Sequence, residues 1–478
     1  MLWLEQEVRK MKRRKFIQKS SLVSLGFLGL QTYADDFDFA DGRVTSLDDA
    51  FAYGYGSLKK DPKGVMELPE GFSYKIISTK GNEMSDGLMV PGRADGMGSF
   101  QGPQPHQTIV IRNHEVSPTA IPNGVSGEAR KLISKIPENK FYDFGFGSTP
   151  CCGGTTTFIY NHKTQEIEKE WMSLMGTVRN CAGGITPWGT WITCEESVLS
   201  ANNKLEKNHG YNFEVPASDE IALYDPIPLK AMGRFNHEAV CVDPRTGIVY
   251  QTEDRPDGMF YRFIPNVWGQ LREGGRLQIL AIEDKPTFDT RNWMTTLAKK
   301  IKKGKPFKVR WVDIDDVESK FDDLRKRGAK LGGAKFARAE GIWFGDGEIY
   351  FACTNGGRQA IGQIFRYTPS AFEGEENEKD EPGILELFLE PNRARVVENC
   401  DNLTIGANGD LVICEDKFEP RIIGVTPEGK TYKIAKNVGY KSEFAGATFS
   451  PDGQVLFVNI QIPGLTLAIT GPWENRES

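Results

Sequence analysis

Four side chains of metal-ligating type stand at matching places in this chain of 478 residues: Cys181, Glu238, Glu340 and Asp401. Each precedes a turn glycine (Gly189, Gly247, Gly347 and Gly409) at nearly the same offset, and Glu195, Glu253 and Glu415 follow their turns at one common spacing. The pattern runs over Cys181 to Glu196, Glu238 to Asp254, Glu340 to Asn355 and Asp401 to Asp416. Glu443 to Gln461, turning at Gly453, repeats it more loosely. Three carboxylates and a thiolate brought together repel one another and raise each other's pKa values unless cations neutralise them. The arrangement therefore points to a metal cluster. Carboxylate oxygens suit calcium and ferric iron, whereas a thiolate favours iron, zinc or copper. Arg338, two residues before Glu340, projects to the same side of an extended strand. A guanidinium beside cations implies an oxyanion between them, and phosphate is the obvious one. The five histidines, at 106, 114, 162, 209 and 237, make no spaced zinc motif. His114 and His237 are candidate hydrogen-bond partners of the ligands. Turn capping would explain one acid at a strand start, but not a shared offset in four units.

The elements that must position these residues read as β-hairpins. Ile248-Val249-Tyr250, Glu348-Ile349-Tyr350-Phe351, Leu411-Val412-Ile413 and Val455-Leu456-Phe457-Val458 are β-rich runs that follow turns such as Asn408-Gly409 and Pro451-Asp452-Gly453. Further strands at Gly258 to Phe263 and Gly362 to Tyr367 allow about four strands per unit, the signature of propeller blades. The expected fold is an all-β propeller of six blades, with an earlier blade around Gly153 to Trp171. Inner strands line a central channel, so residues that open them meet at one mouth. Between blades, about residues 284–335, the period breaks. There Thr290 to Lys305 and the charged run Val317 to Arg327 predict a mixed, partly helical insertion. Glu373 to Glu381 reads as a solvated acidic loop.

Residues 1–34 carry seven basic and two acidic side chains, which leaves a net charge of −11 on the remainder. An acidic protein of this kind is suited to hard cations and excludes nonspecific nucleic-acid binding. Lys12-Arg13-Arg14-Lys15-Phe16-Ile17 ahead of the apolar Leu22 to Leu30 predicts a twin-arginine-type signal peptide over 1–34, followed by one domain over 45–478. The protein is then expected to meet the twin-arginine export machinery and to reside in the periplasm or outside the cell. Cys194, Cys241, Cys353 and Cys414 sit within apolar runs and read as small buried thiols, whereas Cys181 precedes the open segment Ala182-Gly183-Gly184.

Several runs carry a family resemblance. Arg112-Asn113-His114-Glu115, Asn180-Cys181-Ala182-Gly183-Gly184 continuing through Trp188-Gly189 to Cys194-Glu195-Glu196, Arg338-Ala339-Glu340-Gly341, Asp401-Asn402-Leu403, and Phe449 to Gly453 through Asn459 to Gly471-Pro472-Trp473 resemble the PhoX-type alkaline phosphatases. The resemblance implies an exported β-propeller phosphomonoesterase that uses paired ferric ions and calcium. It implies that Cys181, Glu238, Glu340 and Asp401 ligate the cluster, Glu196 binds calcium, Arg338 binds substrate phosphate, and Asn113 belongs to the catalytic set. The expected substrates are small phosphate esters and the expected state is a monomer. The competing readings are a calcium-dependent lactonase or esterase on a propeller and a noncatalytic scaffold held by metals.

Overall fold

The computed structural model describes residues 54–118, 120, 123–125, 132–294 and 301–476. The expected signal peptide lies outside the described residues. The fold is all-β and propeller-like, built from antiparallel hairpins. All five turn glycines singled out in the sequence have positive φ, from 72° at Gly453 to 86° at Gly347, the region where a Cβ is costly. Strands such as Val249–Glu253, Leu411–Glu415 and Val455–Ile460 are buried along their whole length. They are largely apolar because both faces of their sheets are covered, and their polar members Gln251, Glu253, Glu415 and Asn459 are buried with them.

Six strands line the axis: Ala94–Gln101, Asn180–Ile185, His237–Val242, Ala339–Gly345, Cys400–Ile405 and Phe444–Phe449. Each lies beside the next, and the last lies beside the first, so they form a closed ring. Each starts a hairpin that continues outward. The first sheet adds Gln107–His114, Gly153–Asn161 and Glu166–Thr177; the stretch expected as an early blade thus supplies the outer strands of this sheet. In the last sheet the outermost strand is Ser73–Thr79 from near the start of the chain, paired along its length with Leu465–Thr470. That pairing closes the ring with hydrogen bonds and leaves no seam edge to aggregate.

By hydrogen bonding the strands form five sheets, not six separate ones. The insertion causes the difference. Its segment Phe307–Asp313 is a strand that pairs with Gly275–Ile282 along five residues and with Ile384–Leu389 at its first two. This joins two four-stranded units into one nine-stranded sheet. The helix expected over Val317 to Arg327 is confined to Leu324–Lys330. Ahead of it, the buried Arg234 guanidinium donates to the carbonyls of Ser319 and Lys320 at 2.9 and 3.2 Å, and those carbonyls are lost to a helical ladder. The part of the expected helical stretch at 295–300 lies outside the described residues. Glu373 also departs from expectation. It is 3% exposed and accepts from Tyr250 Oη, Tyr367 Oη, the Ser370 N–H and Arg262 Nη1, so it ties the acidic loop to the two sheets the insertion joins.

The two four-stranded units of the nine-stranded sheet pack through an aromatic layer. Phe351, fully buried, stacks between Phe260 at 4.4 Å and Phe365 at 5.3 Å, with interplanar angles of 13° and 18°. Phe351→Ala is expected to lower stability by about 3–5 kcal/mol, whereas Ile76→Ala on the exposed face of Ser73–Thr79 should cost less than about 1 kcal/mol. Urea unfolding of both variants checks this, and similar losses in the two would refute the aromatic-layer account.

Candidate metal centre

Every axial strand opens with a β-bulge. Pairing runs Ala94↔His114 then Met97↔Arg112, Asn180↔Glu195 then Gly183↔Thr193, and His237↔Glu253 then Val240↔Gln251. It continues Ala339↔Cys353 then Ile342↔Phe351, Cys400↔Glu415 then Leu403↔Ile413, and Ala445↔Asn459 then Thr448↔Phe457. In each case two residues oppose one, an irregularity that bends the strand and redirects a side chain. The first bulge residue is Asp95, Cys181, Glu238, Glu340 or Asp401 in five strands and Gly446 in the sixth. Four of these were singled out in the sequence. Asp95 was not, although Arg93-Ala94-Asp95 parallels Arg338-Ala339-Glu340 and Arg179-Asn180-Cys181.

The bulges bring these side chains together. Candidate ligand atoms of Glu238, Glu340 and Asp401 lie within 4.8 Å of one another, as do those of Cys181, Glu196 and Glu238. The Cys181 Sγ donates to Glu238 Oε1 at 3.1 Å. The second bulge residue is Gly or Ala in five strands (Gly96, Ala182, Ala239, Gly341 and Ala447) and Asn402 in the sixth, whose side-chain oxygen accepts from the Gly446 N–H. A Cβ on Gly96 would sit 2.6 Å from Ala182 Cα, and one on Gly341 would sit 2.7 Å from the Asp401 carbonyl oxygen. These residues pack along the axis under the cluster, where a space of about 20 Å³ remains.

A second tier rings the mouth of the axis. The residue after each second strand donates its N–H to the residue just before an axial strand: Glu115 to Arg93, Glu196 to Arg179, Asp254 to Asn236, Thr354 to Arg338, Asp416 to Asn399 and Gln461 to Glu443, over 2.8–3.4 Å. Arg93, Arg179, Arg338 and Asn399 hold φ values of 49–54°, a left-handed backbone that costs an L-residue roughly 1–2 kcal/mol. Arg338 grips Asp254 with two bonds, Nε to Oδ1 at 2.7 Å and Nη2 to Oδ2 at 2.8 Å, and reaches Glu340 Oε1 at 2.7 Å. Arg179 bonds Glu115 at 2.7 Å and also Glu196. Glu196 thus stands in this tier, next to Cys181 and Glu238. Glu195, Glu253 and Glu415 turn away from the axis and hold loops. Glu195 accepts from the Val178 and Gly210 N–H groups, Glu253 from Met259 N–H and Tyr261 Oη, and Glu415 from Glu398 and Arg421 N–H groups.

The structure gives Asn113 a different place from the catalytic one expected of it. Its side chain is fully buried, its Nδ2 donates to the carbonyls of Cys181 (3.0 Å) and Ala182 (2.7 Å), and its Oδ1 accepts from Trp191 Nε1. Both ends of the amide are committed, so Asn113 positions the Cys181 bulge. The device recurs: Thr252 bonds the Glu340 carbonyl, Thr354 the Cys400 carbonyl and Asn459 the Asp95 carbonyl. Each clamp comes from the neighbouring hairpin. The two candidate histidines are engaged elsewhere, His114 with the Gly92 carbonyl and Thr156 Oγ1, and His237 with the Gly233 carbonyl, its ring stacked on Phe235.

Electrostatics fits a cation site. Burial, then mutual repulsion, pushes the carboxyls of Asp95, Glu238, Glu340 and Asp401 well above the usual range. Glu196 rises to about 7 despite Arg179, and Glu443, beside Asp401 and Asp416, to about 11. The Cys181 thiol is raised by burial and by Asp95 and Glu238. Glu238 Oε2 is buried without a hydrogen-bond partner, and an orphaned oxygen of this kind is expected where an ion belongs. One thiolate among carboxylates suits a mixed set of a thiophilic and a hard cation. All eight cysteines are free thiols; Cys194, Cys241, Cys353 and Cys414 are buried within their strands.

The closed ring of bulged strands around an acid and thiol cluster defines a propeller-like protein with a group of side chains that could hold metal ions. The chain matches the family model described as alkaline phosphatase PhoX over residues 53–149 and 153–464; it belongs to the PhoX family. No curated protein matches the sequence. Similar solved structures include a putative gluconolactonase (11% identity, TM-score 0.40, covering 88% of this chain and 99% of that one). They also include a gluconolactonase from Xanthomonas campestris (9% identity, TM-score 0.42, 83% and 98%) and a putative 6-phosphogluconolactonase from Bacteroides uniformis (11% identity, TM-score 0.39, 82% and 89%).

The raised carboxyls fix the sign of a pH effect. A carboxyl whose folded pKa lies above its unfolded value of about 4.3 binds more protons folded than unfolded between the two, so stability falls as pH rises through that window. For Glu196 the window ends at about 7. Chelator-treated protein is expected to lose thermal stability steadily from about pH 5 to pH 8, and the metal-loaded form to lose much less. A melting temperature of the chelated form that is flat or rising over that range would contradict the clustered-charge account.

Proposed function

We propose that this chain is an exported, metal-dependent phosphatase that releases inorganic phosphate from small phosphate monoesters. The observation that supports this most directly is the joining, in a PhoX family member, of Cys181, Glu238, Glu340 and Asp401 beneath Arg338. In this reading those four side chains hold the cluster, ferric iron at the thiolate side, and Glu196 holds calcium. The bound cations supply Lewis-acid charge that draws the phosphoryl group and offsets charge developing on its oxygens.

The chain's own residues do the rest. Arg338, held by Asp254 through Nε and Nη2, keeps Nη1 for a phosphoryl oxygen and fixes that group over the axis. Asn113, from the adjoining sheet, fixes the Cys181 bulge so that the thiol keeps its aim. We also infer six blades, the nine-stranded sheet counting as two four-stranded blades joined through Phe307–Asp313. Export through the twin-arginine route, a periplasmic or extracellular location and a monomeric state complete the proposal.

Protein folded in a cytoplasm supplied with iron and calcium should contain both metals and hydrolyse p-nitrophenyl phosphate. Cys181→Ser should lose most of the iron, and Arg338→Ala should reduce kcat/KM about 10²–10³-fold at unchanged metal content. Calcium without iron, together with lactone hydrolysis and no phosphatase activity, would replace this reading with the lactonase or esterase one.

A further inference from the structure

The mouth of the axial cluster is electrically lopsided. Of the three rim arginines, Arg179 and Arg338 are each paired with carboxylates, whereas Arg93 forms no ion pair among the described residues. Its Nη1 donates to the neutral Gln461 Oε1 at 2.8 Å. Gln461 in turn gives its two amide hydrogens to Asp95 and Glu115, at 2.9 and 3.0 Å. The glutamine therefore stands between Arg93 and the acids nearest it.

A second cation shares this condition. Lys80 Nζ donates to the neutral Asn123 Oδ1 at 2.6 Å, and both side chains lie against Gly92, next in sequence to Arg93. A Cβ on Gly92 would fall 2.8 Å from that oxygen and 2.9 Å from Lys80 Cδ. The axial strand after Arg93 is three places from the one after Arg338 in either direction around the ring, so the two arginines face each other across the cluster. Arg93 also occupies its left-handed backbone (φ 54°) at a cost that asparagine or glycine would lessen. That cost is consistent with a requirement for its side chain.

We propose that Lys80 and Arg93 form a second anion subsite at the mouth, which takes a second anionic group, carboxylate or phosphate, of a phosphate monoester whose phosphoryl group sits toward Arg338. The proposal rests on the phosphatase reading and narrows it to doubly anionic substrates.

Two nonhydrolysable probes test it by calorimetry on metal-loaded protein: methylphosphonate, which has one anionic group, and 3-phosphonopropionate, which has two. The native protein is expected to bind 3-phosphonopropionate at least about tenfold more tightly, near 1.4 kcal/mol. Arg93→Asn, which tolerates the left-handed backbone, should collapse that ratio toward unity. Lys80→Gln should reduce it, Arg93→Lys should keep part of it, and metal content should stay unchanged in all three. A native protein that binds methylphosphonate without preferring the longer probe, or an Arg93→Asn ratio equal to the native one, overturns the subsite and leaves the phosphatase reading standing. Binding of neither probe overturns both.

Discussion

The bulge at the start of each axial strand is the constraint from which the rest of the structure follows. In a regular strand, successive side chains alternate between faces, and no run of residues could give the axis both a ligand and a plug. The bulge presents two consecutive residues to the interior, in most strands one ligand-type side chain at the mouth and one Gly or Ala beneath it. Five such ligand side chains then share a buried space in which like charges interact strongly. That repulsion works against folding unless protons or cations offset it. The stability must come from elsewhere, and the ring closed by Ser73–Thr79 and the aromatic layers around Phe351 are where it is found.

A bulge also disrupts the ladder and leaves backbone carbonyls in need of donors. The structure meets that need with side chains from the neighbouring hairpin. Asn113, Thr252, Thr354 and Asn459 each reach a carbonyl in or beside a bulge. The same bonds that satisfy the backbone also couple these four bulges to the neighbouring hairpin. This explains why an asparagine in a motif that resembles a catalytic one is buried to the last atom: its contribution passes through the peptide of Cys181.

Much of this was legible in the sequence, and the exceptions have physical causes. The turn glycines gave the hairpins, and their offsets gave Cys181, Glu238, Glu340 and Asp401, because chain geometry fixes the distance from an axial bulge to the first turn. The last unit fitted loosely for a reason now visible. Ala445 is still paired and the bulge falls one residue later than in the other strands, with Gly446 where a ligand would stand; a Cβ there would lie 2.1 Å from the Asp95 carbonyl oxygen. Asp95 escaped notice because its hairpin turn, Gly102 to His106, contains two prolines and lacks the apolar-turn-apolar form of the others. The missing helical turns ahead of Leu324 and the burial of Glu373 were out of reach. Both depend on arginines, Arg234 and Arg262, distant in sequence.

The six residues that precede the axial strands bring backbone strain and electrostatics together. Four of them take a left-handed backbone, and three of those four are arginine, the costlier choice over asparagine or glycine. Where the tier beneath carries Glu196 or Asp254, a guanidinium is paired with it. Where it carries Asp416, the preceding residue is Asn399 and the next around the ring is Glu443, itself pushed to about 11 by burial and by Asp401 and Asp416. One sector of the mouth therefore holds acids without a guanidinium, with a proton retained on Glu443, and the next holds Arg93 without a carboxylate partner among the described residues. An evenly charged ring would bind an ion without orienting anything above it. A polarised ring also gives an anionic ligand a preferred direction, which the order of residues around this axis sets before any ligand arrives.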